Sequence, residues 1–537
     1  AWTSARHVGT MGVVNRTAVT LLALAALPAG ASATTQWLPS SPLAGQVRGT
    51  GAPAVAGNDD GRAVAAWATP AGVVTTLRTP GGPWYQPVRV PGSGRGATQV
   101  AVAMTTGGQA AVTWIEGGRV RVSLRPARRR FLPAIALSLP GRIATTPVVA
   151  LGGACAPLVA WSGEAVTGGA NTIESACASS SGRFAATRSV SQPDELAFTP
   201  AVAASAGGSV IAWRRDEGDQ HRVRAAVRQR DGSFGVPADV SQASSSVFVD
   251  PAVAIAPSGD AIATWTLLRG ADVITQAASL PSGGVWTKPD DISRPGTQAR
   301  GSQVATDGEG NAVATWVRSG VVQAATRVAG QPWGPPRDLS DGSVTAGTPR
   351  LSVSGAGAAL VTWPATTGTS YVAQAALRAA TADFGAPATI SDPRSPAIAP
   401  EGVIGDNGIA PVVWQWTDPA LDPSIAQAGV SSATGLAGSD QPGPAILVDL
   451  RARPATVSPG QRFRVTFGLS NPSRVRLAVT PSAGGREVGA LVLSGADGAN
   501  AITFEGGLGG AALGRGRWRL TATPRGGTSR SLILVVR

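Results

Sequence analysis

A short run of small and apolar residues ending in tryptophan occurs eight times in this chain, and no other feature restricts its fold as much. It reads AVAAW to Trp67, AAVTW to Trp114, PLVAW to Trp161 and SVIAW to Trp213, then AIATW to Trp265, AVATW to Trp316, ALVTW to Trp363 and PVVW to Trp414. The spacings are 47, 47, 52, 52, 51, 47 and 51 residues. A self-similar period of this length marks units that stack on their neighbours, and it is near the length of one propeller blade.

Each copy divides into four strand-length pieces. In the fifth these are PAVAIA (251–256), DAIATW (260–265), DVITQAAS (272–279) and VWTKPDDIS (285–293), separated by polar or Gly-containing turns. Six residues before the tryptophan stand Gly61, Gly108, Gly207, Gly259, Gly310, Gly357 and Gly408, with Cys155 in the third copy. A tight turn at this point needs a residue at positive φ, which glycine adopts without a Cβ clash. The fourth piece carries a second aromatic: Trp84, Phe131, Phe184, Phe234, Trp286, Trp333 or Phe384. Rings repeated in copy after copy are expected to pack between sheets, because every unit needs a core and few units bind a ligand.

The eighth copy lacks a fourth piece. TTQWLPSSPLAG (34–45), with Trp37 as its aromatic, has the character of that missing strand. Residues 35–43 are therefore expected to complete the last sheet beside 424–432, joining the two ends and pairing an otherwise open edge. The expected fold is all-β: an eight-bladed β-propeller over 34–440, closed by an N-terminal strand. From 445 to 537 the repeat gives way to alternating apolar and polar residues between turns, the pattern of a small β-sandwich. Its GRWRLT segment and final strand resemble the C-terminal Ig-like modules of bacterial surface proteins, which implies a spacer or adhesive appendage.

Arg16, the apolar run 17–27, Pro28, Gly30 and Ala31-Ser32-Ala33 have the order of a signal peptide over 1–33, with 1–10 a start-site artefact ahead of Met11. The run is too short to cross a hydrocarbon layer of about 30 Å, and no later run is long enough to span. Export is expected, to the medium or the cell wall. Cys155 and Cys177 are the only cysteines, and they flank one hairpin in cross-strand register. In an oxidising compartment they are expected to form a disulfide.

The turns RDGSFGVP (230–237), LPSGGVWTKP (280–289) and AGQPWGPP (329–336) keep the glycine and the aromatic of a Ser-x-Asp-x-Gly-x-x-Trp motif, but not its Ser/Asp pattern. On these turns the chain resembles secreted propellers of the sialidase-like, Asp-box (BNR) type across 34–440. For catalysis that resemblance implies a tyrosine nucleophile, an acidic partner and an arginine triad. Only Tyr85 and Tyr371 exist, and neither is placed at a channel mouth, so sialidase activity is not expected. His221 is the sole histidine after residue 33. The acidic pairs Asp59-Asp60, Asp216-Glu217 and Asp290-Asp291 fall in turns, as does DGEGN (307–311), which lacks the bidentate glutamate of a calcium loop. No catalytic residue, metal site or cofactor is expected.

The net charge is +13, nearly all of it arginine; Lys288 is the only lysine. Basic clusters lie at Arg121, Arg125, Arg128, Arg129 and Arg130, and at Arg214, Arg215, Arg222 and Arg224. Without interleaved aromatics they do not read as a nucleic-acid site. A solvated face and adhesion to an anionic polymer are the two readings left open. Propeller geometry places a ligand site at the loops between second and third strands and between blades, which selects Arg214, Arg215, Asp216 and Glu217, with Trp416 and Asp418 across the ring. The expected function is a monomeric, non-catalytic binding or scaffold protein, secreted or at the cell surface. Its partner is a glycan, a cell-wall polymer or a protein. The alternative is a glycan-active hydrolase or lyase. A channel mouth of Ala, Val and Thr favours the first, and clustered carboxylates the second.

Overall fold

The computed structural model describes residues 36–153, 155–229, 232–245, 250–296, 298–368, 370–380, 382–417, 427–436, 445–508 and 511–537. All regular structure among them is strand, with no helix. The leader expected at 1–33 lies outside the described residues.

From Gln36 to Leu436 the chain forms successive sheets, all but one four-stranded, the arrangement of a β-propeller. Copy five shows the plan: Ala252–Ile255, Ala261–Arg269, Asp272–Leu280 and Asp290–Asp291 pair antiparallel in that order. The seventh sheet has a fifth strand because its first strand is broken into Thr345–Ala346 and Arg350–Val353. The first strand of each sheet lies against that of the next, and Ala397–Gly402 of the eighth lies against Ala54–Gly57 of the first.

The cores lie between successive sheets. Trp114 packs with Val64 and Ala66 of the preceding sheet, Trp213 with Leu158 and Ala160, and Trp265 with Val210 and Ala212. All eight marker tryptophans are at most 2 % exposed. Several indole N–H groups are satisfied inside this core: Trp114 donates to Glu116, Trp161 to Glu174, Trp213 to Glu195, Trp316 to Gln323 and Trp363 to Gln374, at 2.8–3.0 Å.

The fourth strands are shorter than their nine-residue pieces suggest, with two residues each from copies one to seven. Pro87, Pro237, Pro289, Pro336 and Pro387 stand immediately before them and cannot donate to the ladder. A serine then continues the ladder by side chain. Ser93, Ser138, Ser191, Ser241, Ser293, Ser340 and Ser391 are buried, and each Oγ accepts a third-strand N–H at 2.8–3.1 Å. The same third-strand residue accepts in return: Val322, for example, donates to Ser340 and its carbonyl accepts the Leu339 N–H.

Gln36–Arg48 pairs antiparallel with Gln427–Leu436, so the N-terminal strand joins the eighth sheet as expected. The strand runs to Arg48 rather than 43, and its partner runs on to Leu436 rather than 432, while 424–426 lie outside the described residues. Register shifts between Leu38 and Ser41 and between Pro42 and Ala44 absorb the two prolines. Trp37 lies over Gly435, where a Cβ would come within 2.9 Å of the ring. Leu43, Val430 and Val413 of this sheet share a core with Trp67 and Val55 of the first.

Cys155 and Cys177 are disulfide-bonded, with Cα atoms 5.5 Å apart. The turn glycines hold positive φ at Gly61, Gly108, Gly259, Gly310, Gly357 and Gly408. Copy four differs: its left-handed residue is Gly208, not Gly207, because its first strand is one residue longer and its turn correspondingly tighter.

In the C-terminal unit the strands form two larger sheets. One sheet joins Leu447–Arg453, Arg462–Leu469 and Gly498–Glu505. A second joins Thr456–Val457, Arg530–Val536, Gly516–Pro524, Ser473–Pro481 and Gly489–Gly495. Both contribute to one apolar cluster, in which Phe463 stacks on Phe504 at 5.2 Å beside Leu477, Val479 and Leu520.

Candidate functional site

The first strands define one column by register. Opposite the residue that precedes each marker tryptophan stand Ala54, Ala101, Val148, Ala201, Ala252, Gln303, Arg350 and Glu401. Five copies place a small apolar side chain here; the last three place an amide, a guanidinium and a carboxyl side by side. Glu401 sits between Arg350 of the preceding first strand and the Val55 N–H of the following one. Burial pushes its carboxyl up to about 7, against the opposing pull of Arg350 and of the Val55 N–H. The residue keeps some exposed surface, so its carboxyl is the enclosed end. The sequence reading passed over this trio. Its signal was the constant offset of thirteen residues before Trp316, Trp363 and Trp414.

Two residues earlier is a second column: Ala52, Gln99, Thr146, Thr199, Asp250, Gly301, Thr348 and Ala399. Gln99, Thr146, Thr199 and Ala399 have φ between 47° and 52° at a bulge that opens the first strand. Neighbours in this column interlock. The Thr146 N–H donates to Gln99 Oε1 at 2.6 Å, and Thr199 Oγ1 donates to Asp250 Oδ1 at 2.9 Å. Asp250 is the only carboxylate among the eight.

The four residues expected in copy four are split between two faces. Arg214, Arg215, Asp216 and Glu217 lie on one strand, Gly208–Glu217, whose side chains alternate. Arg214 Nε and His221 Nδ1 both meet Asp216 Oδ1, at 2.9 and 2.7 Å. Arg214 also reaches Asp250 at 3.4 Å and lies 5.3 Å over the Phe198 ring. On the other face Glu217 takes Arg222 at 3.3 Å and Arg215 at 3.8 Å, and Arg222 holds Asp239 at 2.7 Å. Arg214 and Asp216 therefore join this second column through Asp250, whereas Arg215 and Glu217 do not. His221, Asp250, Thr199 and Phe198 belong to the same cluster and were missed, because strand pairing rather than sequence proximity brings them in. Trp416 lies in the eighth sheet, partly buried against its core, with no contact to this cluster among the described residues. Asp418 lies outside the described residues.

The remaining acidic candidates are structural. Asp59 Oδ1 accepts the Gly355 N–H at 2.8 Å, and its carbonyl accepts the Asp406 N–H at 2.9 Å, so turns of copies one, seven and eight lock together. Asp60 holds Arg62 at 2.6 Å, and Asp291 holds Arg269 at 2.5 Å. In the DGEGN turn Asp307 Oδ1 accepts the Glu309 and Asn311 N–H groups at 2.9 Å, a turn function rather than a metal one. No group of three or more His, Cys, Asp and Glu side chains able to hold a metal ion occurs among the described residues. Tyr85 and Tyr371 are about half exposed, on an outer strand segment and a third strand respectively. A cavity of about 140 Å³ between copies five and six has Asp260, Ser279 and Arg327 in its wall. Asp260 accepts from Ser258 and the Ser282 N–H, and Arg327 donates to Ser279 and the Gln331 carbonyl.

No protein-family model matches the chain, and no curated protein does. Among solved structures it is similar to a fungal lectin of Aleuria aurantia, described as a six-bladed β-propeller with a fucose recognition mode. The identity is 13 %, over 56 % of this chain and 98 % of that one, with a TM-score of 0.32. It is also similar to an exo-β-1,3-galactanase of Phanerochaete chrysosporium, at 10 % identity over 79 % and 96 % with a TM-score of 0.31. A glycosyl hydrolase of Bacteroides ovatus aligns at 14 % identity over 44 % and 83 %, with a TM-score of 0.25. Likenesses of this size carry neither a ligand nor an activity across to this chain.

Proposed function

We propose that the chain is an exported, non-catalytic glycan-binding protein. In this reading residues 34–440 are an eight-bladed β-propeller whose last blade is completed by the N-terminal strand, and 445–537 are an Ig-like β-sandwich that spaces or anchors it. The leader pattern at 1–33 and the Cys155–Cys177 disulfide support an oxidising destination. The degenerate Asp-box turns are consistent with a sialidase-like ancestry that has kept the scaffold.

The observation that carries the non-catalytic reading is that the carboxylates of the Arg214 cluster are already paired. Asp250 accepts from Thr199 and Arg214, and Asp216 accepts from Arg214 and lies 2.7 Å from His221 Nδ1. Acid–base cleavage of a glycosidic bond ordinarily uses two carboxyl groups facing each other across it. The ligand site is Arg214, Asp216, His221 and Asp250 beside Phe198. A guanidinium over an aromatic ring offers a flat apolar surface edged by donors and acceptors, which suits a sugar face and its hydroxyls. A protein or an anionic cell-wall polymer is the competing ligand class.

Glu401 favours a second reading, a glycan hydrolase or lyase, because a carboxyl near 7 can act as a general acid at neutral pH. One experiment separates the two. The full chain is passed over immobilised glycans while reducing ends and unsaturated products are followed. The first reading expects retention on a glycan class, weakened about tenfold or more by Arg214→Ala, with no product. Product formation that Glu401→Gln abolishes establishes the second. Retention unaffected by Arg214→Ala removes the proposed site.

A further inference from the structure

Copy two departs from copies one, five and six at the turn between its third and fourth strands. The Arg129 N–H closes this turn on the Pro126 carbonyl at 3.1 Å, and Arg128, third in the turn, has φ 60°. In copies one, five and six the same position of a turn closed the same way is Gly81, Gly283 or Gly330, at φ 62°, 72° and 73°. Left-handed backbone costs a side chain that glycine does not have. An arginine kept there against the local preference points to a use for its side chain.

The surroundings are basic throughout. Arg128, Arg129 and Arg130 are all exposed, and no ion pair joins them to a carboxylate among the described residues. Arg125 ends the adjoining strand and donates to the Gly108 carbonyl at 2.9 Å. Burial lowers its pKa, and the neighbouring Arg62 charge lowers it further. The corresponding turn of copy three packs at Gly182 against Leu124, and it brings the exposed Arg183 alongside. The acids on the turns of copies one to three at this rim are Asp59 and Asp60. Asp60 is paired with Arg62, and Asp59 is turned towards copy seven, where it accepts the Gly355 N–H, so neither carboxylate reaches the cluster. Copy seven, by contrast, carries Asp383 near its turn, bound to Arg337.

From this uncompensated arc we propose that Arg125, Arg128, Arg129, Arg130 and Arg183 form a docking surface for an anionic polysaccharide. It lies at the end of the sheets opposite the Arg214 cluster, so it is a second site. Guanidinium forks match carboxylate groups two bonds at a time, and a row of them suits a chain with a charge on every sugar. Nucleic acid fits less well. The aromatic of this segment, Phe131, is buried, so no ring stands between the arginines for a base to stack on.

The test is the affinity of the full chain for polygalacturonate at low and moderate salt, with neutral dextran and double-stranded DNA in parallel. Two variants of equal net charge are compared. One carries Arg128→Gly, Arg129→Ser and Arg130→Ser; its glycine suits the turn, so it folds. The other carries Arg474→Ser, Arg486→Ser and Arg525→Ser, exposed positions of the C-terminal unit. The proposal expects salt-sensitive binding to polygalacturonate and none to dextran. It expects a loss of about tenfold or more and a shallower salt dependence in the first variant, and parental affinity in the second. It is overturned if polygalacturonate is not bound, if the first variant binds like the parent, if the second loses as much, or if DNA is preferred.

Discussion

Among the described residues Glu401 is the one carboxyl whose environment holds its proton well above the ordinary range, so it couples pH to stability. In the unfolded chain such a group titrates near 4.5, and in the folded chain near 7. Between these values the unfolded state releases its proton first. Stability is therefore intact below the window and falls as pH rises through it, by on the order of 3 kcal/mol. Calorimetric melting of the parent and of Glu401→Gln from pH 4.5 to 7.5 checks this: the parent loses Tm across the window relative to the variant, and parallel profiles refute it. At this scale the sequence was only partly readable. Gln303, Arg350 and Glu401 could have been found by aligning the copies on their tryptophans. The grouping of Arg214 with Asp216, and of Arg215 with Glu217, could not be read from four consecutive charged residues until the strand and its alternation were recognised. Asp250 and Phe198 enter only through pairing between strands and between sheets.

Among the elements, the short fourth strand is the one whose character depends on side chains. Ser340 stands where a backbone carbonyl would stand in a longer ladder, and the Val322 N–H it accepts is buried with it. Ser340→Ala leaves that donor without a partner and is expected to cost about 1–3 kcal/mol; urea denaturation measures it, and a change within error would show that water or a shifted backbone takes the serine's place. The motif was legible in LS, VS and IS at Leu339-Ser340, Val240-Ser241 and Ile292-Ser293. It passed unnoticed because the pieces were read as plain strands, although their prolines already argued for something shorter. The second and third strands were easier. Their apolar runs are continuous, they end on the buried tryptophan, and glycine marks the turn before them in most copies. Gly207 shows the limit of that rule: where two glycines are adjacent, the length of the first strand decides which one turns.

At the scale of the whole repeat region, the pairing of Gln36–Arg48 with Gln427–Leu436 decides whether the eighth sheet has an open edge. Deleting 36–48 exposes that edge and removes Leu43 from the core it shares with Trp67. The expected result is a chain that self-associates by light scattering and melts lower than any single-residue variant, with recovery on adding a peptide of residues 36–48. A truncated chain that stays monomeric with parental Tm would mean that the strand is dispensable. The missing fourth piece of copy eight and Trp37 at the other end made this closure legible. The extent of the strand was not, because Pro39 and Pro42 hide a pairing that continues around them through bulges.

Joining the two ends of the repeat region in one sheet also sets an order of events. A chain made from its N-terminus presents residues 36–48 early, and their partner only some four hundred residues later. Every intervening sheet can form from neighbours in sequence, so most of the ring assembles as the chain emerges. The closing sheet cannot. The strand made first is the last to be satisfied, and until then its hydrogen-bonding groups are available to anything else that offers an edge.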